Sequence, residues 1–180
     1  MVATSVADQS VNAVRWCAAI GIAAAVGVTL SAAGRSSATA DVRIVPSCKR
    51  DNIQLTLGRG GIATGHAFIR IMLRNVGKAP CALRGYPSLR AWDHGRVVPT
   101  RTVRGGSGPL AAPVRRIPIR SKTSAALVVS YDTVPVGTQP CPTADTMGIA
   151  LSGWTPRKRI RLQVSLCTPL LRTSPVVAAK

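Results

Sequence analysis

Apolar residues recur at every second position in short runs, and glycine- or proline-rich turns separate the runs, which is the pattern of half-buried β-strands. Asn52 to Leu57 (N-I-Q-L-T-L) alternates in this way. The glycine-rich G-R-G-G-I-A-T-G follows, and His66 to Asn75 (H-A-F-I-R-I-M-L-R-N) alternates again, which predicts a hairpin centred near residue 61 or 62. In its second strand Ile69, Ile71 and Leu73 share one face, while Phe68, Arg70, Met72 and Arg74 share a partly wet one. Val76 to Pro80 reads as a turn and Gly85-Tyr86-Pro87 as a bend, with Ser88 to Trp92 as the next strand. Asp93-His94-Gly95 is a tight reverse turn, since Asp initiates it and Gly accepts positive φ, and Arg96 to Thr102 returns as the partner strand.

Farther on, Arg104 to Pro113 holds too much Gly and Pro for a regular element and is expected to be a mobile loop. Ile117 to Ser121 and Ala125 to Tyr131 are strand-like, and Asp132 to Pro142 is another loop. Met147 to Leu151 pairs with Arg159 to Leu166, the cleanest alternation in the chain: Ile160, Leu162, Val164 and Leu166 face in; Arg159, Arg161, Gln163 and Ser165 face out. Leu170 to Val177 adds a final edge strand. Seven to nine short strands with frequent turn signals predict an all-β fold, an antiparallel immunoglobulin-like β-sandwich. The lack of crossover helices excludes a parallel α/β fold.

One stretch breaks the pattern. Trp16 to Ala33 is uncharged and apolar, follows Arg15 and precedes the small, polar G-R-S-S-A-T-A, the layout of a secretory signal peptide forming an apolar leader helix. Ala38 and Ala40 fit cleavage after residue 40, and Ser31 and Ala33 fit cleavage after residue 33. About eighteen apolar residues also sit at the lower limit for an uncleaved membrane anchor. The division is therefore 1–40 as leader or anchor and 41–180 as one domain. Cys17 has no apolar run upstream, so it does not fit a lipoprotein signal.

Composition then adds the electrostatics. The chain carries 24 Lys plus Arg against six acidic residues, all aspartate, for a net charge of +18. Such charge attracts polyanions at long range. The basic residues gather in two stretches: Arg101, Arg104, Arg115, Arg116, Arg120 and Lys122 in the middle, and Arg157, Lys158, Arg159 and Arg161 near the last hairpin. Specific nucleic-acid recognition is disfavoured: beyond the leader, Phe68, Tyr86, Trp92, Tyr131 and Trp154 are too few for a stacking platform, and Tyr86 and Trp92 read as core anchors.

Beyond the leader four cysteines remain, an even number that in an exported chain points to two disulfides. Projecting each hairpin outward places Cys48 near Cys81 and, with the second hairpin centred near 155 or 156, Cys141 near Cys167. These are the expected pairs. A redox site is disfavoured because no two of the four are closer than 26 residues.

Catalytic chemistry finds little support. The two histidines, His66 and His94, do not make a metal set, and no cofactor or metal is implied. There is no G-x-S-x-G elbow, and adjacent Asp93 and His94 are expected to diverge rather than orient one another. Paired carboxylates require two of Asp51, Asp93, Asp132 and Asp145 to converge. The glycines Gly58, Gly60 and Gly61 precede no helix, which argues against a phosphate loop.

Cys48, then D-N-I-Q-L-T-L-G, then G-H-A-F-I-R-I-M-L-R-N-V-G-K-A-P-C-A-L-R-G-Y-P, then a strand ending in D-H-G, together resemble the actinobacterial exported or lipoprotein domain of unknown function 4232 family, typified by N-x-G-x-x-x-C-x-L-x-G-Y-P. The resemblance spans Cys48 to Val177 and implies an exported β-sandwich with no established activity. Two departures stand out: the lipobox is missing, and R-S-K-T-S replaces the usual P-G-G turn before the Ala-rich strand. The expected function is a secreted or cell-envelope-associated binding or structural module, a monomer, whose basic loops contact anionic envelope polymers or the membrane surface. The alternative is an extracellular hydrolase using His66 or His94.

Overall fold

A computed structural model describes residues 45–138 and 140–179; the expected leader, its cleavage point at Ala40 and Cys17 lie outside them. Twelve strands form in chain order: β1 (Ile53–Ala63), β2 (His66–Asn75), β3 (Cys81–Arg84), β4 (Ser88–Asp93), β5 (Arg96–Val98), β6 (Arg101–Arg104), β7 (Arg116–Ile119), β8 (Ser124–Asp132), β9 (Thr143–Ala150), β10 (Lys158–Ser165), β11 (Leu170–Thr173) and β12 (Val177–Ala178). One sheet runs β1-β2-β8-β11-β6, with β12 also on β8; a second runs β10-β9-β4-β5; β3 and β7 form a two-stranded ladder. No helix among the described residues is long and apolar enough to cross a membrane.

Period-two alternation decides which side chains meet. Ile71 and Leu73 of β2, Leu127 and Val129 of β8 and Leu171 of β11 pack in one cluster with Leu89 and Ala91 of β4, Met147 and Ile149 of β9, and Ile160 and Val164 of β10. The two larger sheets thus bury a common apolar core, which makes the fold all-β and sandwich-like. β8 differs from the half-wet strands: Ala125 to Val129 are all buried, so both its faces are covered and its apolar run is unbroken.

The first hairpin does form, but its centre lies elsewhere. β1 continues through the glycines, slips register at a bulge between Leu57 and Gly60, and turns only at Thr64 and Gly65, with Ala63 opposite His66. Both turn residues have positive φ, 49° and 79°, which matches the twist of the strands they join. The glycines are strand residues because the Phe68 ring lies over Gly61, where a Cβ would meet its edge at 2.8 Å. In the last hairpin Lys158 faces Ile149 and Ile160 faces Met147, which puts its centre short of the expected one, whereas the first hairpin's centre lies beyond its own.

Four further expectations are corrected. The sheets are not wholly antiparallel, for β6 and β11 pair in parallel, a geometry that the long connection between them permits. Arg96 to Thr102 is not one strand: β5 pairs with β4, while Pro99 and Thr100 carry the chain over to β6 in the other sheet. β11 is internal, between β8 and β6, rather than an edge. The Arg104–Pro113 segment holds a short 3-10 turn, Gly108–Ala111, whose buried Leu110 ties it down over β8.

Cys48 is bonded to Cys81 and Cys141 to Cys167. The first bond joins the segment before β1 to β3, where the Cys48 amide also donates to the Ala82 carbonyl and the buried Trp154 indole donates to the Cys48 carbonyl.

Candidate functional site

The outward face of the second sheet follows from parity. Leu89 and Ala91 point to the core, so Ser88, Arg90 and Trp92 point out, and β9 and β10 contribute on the same side. Gly148 stands opposite Arg90 on one flank and Arg159 on the other; one row along, Thr146 stands opposite Trp92 and Arg161. Arg90 and Arg159 are therefore two strand spacings apart, roughly 10 Å between backbones.

Trp92 is the centre of this face. Its indole is only 8 % exposed, yet it lies outside the main core cluster, because it rests on Gly148 under the stem of Arg157 and the guanidinium of Arg159. The Arg159 guanidinium carbon is 4.5 Å from the ring centroid, a cation–π contact. Arg157 donates to the Ser88 hydroxyl at 3.2 Å, while its buried Nε has no partner. Trp92 is thus not the core anchor that the sequence suggested. A Cβ on Gly148 would meet the indole at 2.5 Å, so Gly148→Val should displace Trp92 and cost about 2 kcal/mol; thermal unfolding measures this, and an unchanged midpoint refutes the stacking account.

The second predicted basic stretch converges here in part: Arg157, Arg159 and Arg161 share the face, whereas Lys158 turns the other way and donates to the Arg50 carbonyl. The first stretch disperses. Arg101 and Arg104 lie on β6; Arg116 lies on β7 opposite Arg84 and donates to the Val45 carbonyl; Arg115 precedes β7, and Arg120 and Lys122 flank the turn after it. Arg90 was missed, although the alternation of Ser88 to Trp92 places it beside Trp92. Among the described residues the Arg or Lys engaged in an ion pair is Arg50, with Asp51, so Arg90, Arg157 and Arg159 keep their charge unpaired, while Arg161 is near enough to act on the Asp145 carboxylate.

At the edge of the face Asp93, His94 and Asp145 come together, with potential ligand atoms within 4.8 Å of one another. The expectation that Asp93 and His94 diverge is wrong: His94 adopts φ 47°, which swings its ring back until Nδ1 is 3.1 Å from Asp93 Oδ1. Asp93 also accepts from the Thr143 hydroxyl, and Asp145 from the His94 amide. Bonds from the Thr146 side chain and the His94 amide, with smaller contributions from His94 and Arg161, hold the Asp145 carboxyl below its ordinary pKa. That is opposite to what a general acid needs. The cluster caps a turn.

The other histidine sits on the first sheet. His66 Nδ1 is 2.6 Å from Asp132 Oδ1, and Asp132 Oδ2 accepts from the Thr168 hydroxyl at 2.8 Å. The carboxylate orients the ring as in a hydrolytic triad, and sequence reasoning did not link the two because they are 66 residues apart. Among the described residues no hydroxyl bonds the other ring nitrogen, so the nucleophile of a triad is not in place. A cavity of about 460 Å³ opens beside it, lined by residues that include His66, Phe68, Leu110, Val128, Ser130 and Arg172.

Residues 48–177 match the family described as Domain of unknown function (DUF4232). The chain belongs to that family. No curated protein and no solved structure matches it. The domain of unknown function 4232 match begins at Cys48 and ends at Val177, so it takes in both disulfides and every residue of the arginine–tryptophan face.

Proposed function

We propose that this chain is an exported, non-catalytic binding module, an immunoglobulin-like sandwich whose second sheet docks on anionic cell-envelope polymers or lipids. The observation that carries this reading is the set of Arg90, Arg157, Arg159 and Arg161 around Trp92 without paired carboxylates on the first three. Guanidinium groups recognise phosphate and carboxylate oxygens by paired N–H donors, and stacking on an indole holds one of them in place before a ligand arrives. Arg90 and Arg159 are far enough apart to bind successive charges of a polymer and close enough, at about a Debye length, to act on it together. Two disulfides fit an oxidising compartment.

The test is sedimentation with phosphatidylglycerol-rich vesicles, with phosphatidylcholine vesicles as reference. Each arginine near an anionic surface is worth about 1 kcal/mol, so Arg159→Gln combined with Arg161→Gln should weaken binding roughly 30-fold. Arg101→Gln combined with Arg104→Gln, on β6 of the other sheet, should weaken it far less. Equal losses from the two double variants would mean that net charge alone binds. Affinity that does not fall with added salt refutes the electrostatic reading.

A further inference from the structure

The first sheet carries a second, chemically different site. Phe68, Ser130 and Arg172 occupy one register row across β2, β8 and β11, and all three line the cavity. The row reads aromatic, hydroxyl, cation across two strand spacings. Above it the 3-10 turn brings Leu110 down beside Val128, and a Cβ on Gly106 would meet the Leu110 side chain at 2.9 Å, so the roof is packed rather than loose. His66 forms the rim one row along, its ring fixed by Asp132.

Two features of this cavity leave groups free to meet a ligand, beyond the packing of the Phe68 ring on Gly61. Phe68 is 39 % exposed, a large aromatic left on the wet side of a sheet. Arg172 has no carboxylate within ion-pair distance among the described residues, and the Ser130 hydroxyl has no partner there; Asp132 is turned away, occupied by His66 and Thr168. The geometry points to a binding site for a small monocarboxylate with a short aliphatic or aromatic body. Its carboxylate lies against the Arg172 guanidinium and the Ser130 hydroxyl, and its body lies between Phe68, Leu110 and Val128. Charge selects this occupant: an apolar wall ending in one unpaired cation and a hydroxyl donor fits an amphipathic anion and repels an amphipathic cation. The cavity's volume lies within the range that encloses small ligands.

This site is separate from the arginine–tryptophan face and stands or falls independently of it. The experiment is calorimetric titration of the full chain with octanoate, with octylamine as the matched cation and butyrate as the shortened anion. Octanoate should bind saturably at one site, at least tenfold tighter than octylamine and tighter than butyrate. Arg172→Gln should weaken octanoate about tenfold, and Phe68→Ala should remove most of the advantage of octanoate over butyrate. Arg159→Gln should leave octanoate binding unchanged. Unfolding midpoints near wild type for all three variants exclude loss through misfolding, and Arg172→Lys serves in place of Arg172→Gln if that variant unfolds, with a partial loss expected. Octanoate binding that is absent, non-saturable, equal to that of octylamine, unaffected at Arg172, or lost with Arg159→Gln overturns the inference.

Discussion

The Cys48→Ala, Cys81→Ala double variant is expected to lose about 4 kcal/mol of stability, and the Cys141→Ala, Cys167→Ala variant about 3. The loops closed are similar, with sequence separations of 33 and 26, so chain entropy alone predicts almost equal losses, each on the order of 3 to 4 kcal/mol. Burial separates them. Cys48 and Cys81 are each 5 % exposed and belong to the core cluster, whereas Cys141 and Cys167 are half-buried and lie outside it. Removing the first pair leaves a void and frees the segment whose backbone anchors the Trp154 indole. Denaturant unfolding of both variants measures the difference; equal midpoints would show that burial adds nothing to the cross-link.

Asn75→Ala is expected to cost about 3 kcal/mol, a large effect for a single polar residue. Asn75 is fully buried at the end of β2 and satisfies its neighbours on every side. Its Nδ2 donates to the Ala79 carbonyl at 2.9 Å and the Ile119 carbonyl at 3.2 Å, and its Oδ1 accepts the Gly77 amide at 2.9 Å. Its backbone amide donates to the Thr123 carbonyl, and its carbonyl accepts the Lys122 amide. Deleting the amide strands the buried Ile119 carbonyl, which costs about 1 to 3 kcal/mol, and removes the bonds to the part-buried Ala79 carbonyl and Gly77 amide, each worth about 1 kcal/mol. Asn75→Asp should do no better, because the Nδ2 donor is lost and a charge is buried. By contrast Ser121→Ala, which removes one 2.7 Å bond to the Gly77 carbonyl, should cost about 1 kcal/mol. A melt that ranks Ser121→Ala as the more damaging change would refute this account.

The place of Asn75 shows how much was legible. Turn chemistry marks Asn75 and Gly77 as a turn, alternation marks β2 and β10 as strands with the right residues inward, and an apolar run marks β8 as a strand, because these signals are local. The disulfide pairs are legible for a different reason. The hairpin centres that project them fall a few residues from the real ones, since Gly58 to Gly61 extend β1 instead of ending it and the turn falls at Thr64 and Gly65. The pairs named are still those present, because Cys48, Cys141 and Cys167 sit outside the strands, just before or after them, and Cys81, opposite Ile119 on β3, is the one on a ladder rung, so a shift of a few residues in a hairpin centre does not change which cysteines are neighbours.

What the sequence by itself determined is the all-β character, the inward residues of β2 and β10, the strong positive charge and the family. Those depend on neighbours within a few positions, on composition, or on a motif. Only the tertiary structure decided that Arg96 to Thr102 divides between two sheets, that β6 and β11 run parallel, that Asp132 orients His66 across 66 residues, and that Arg90 and Arg159 flank Gly148 under one tryptophan. Each depends on strand order, a long-range choice made by the shared core. Trp92 is the clearest case. Read alone, a tryptophan in a strand belongs to a core; its parity, the missing side chain of Gly148 and the arginine that covers it place it instead on the outer face.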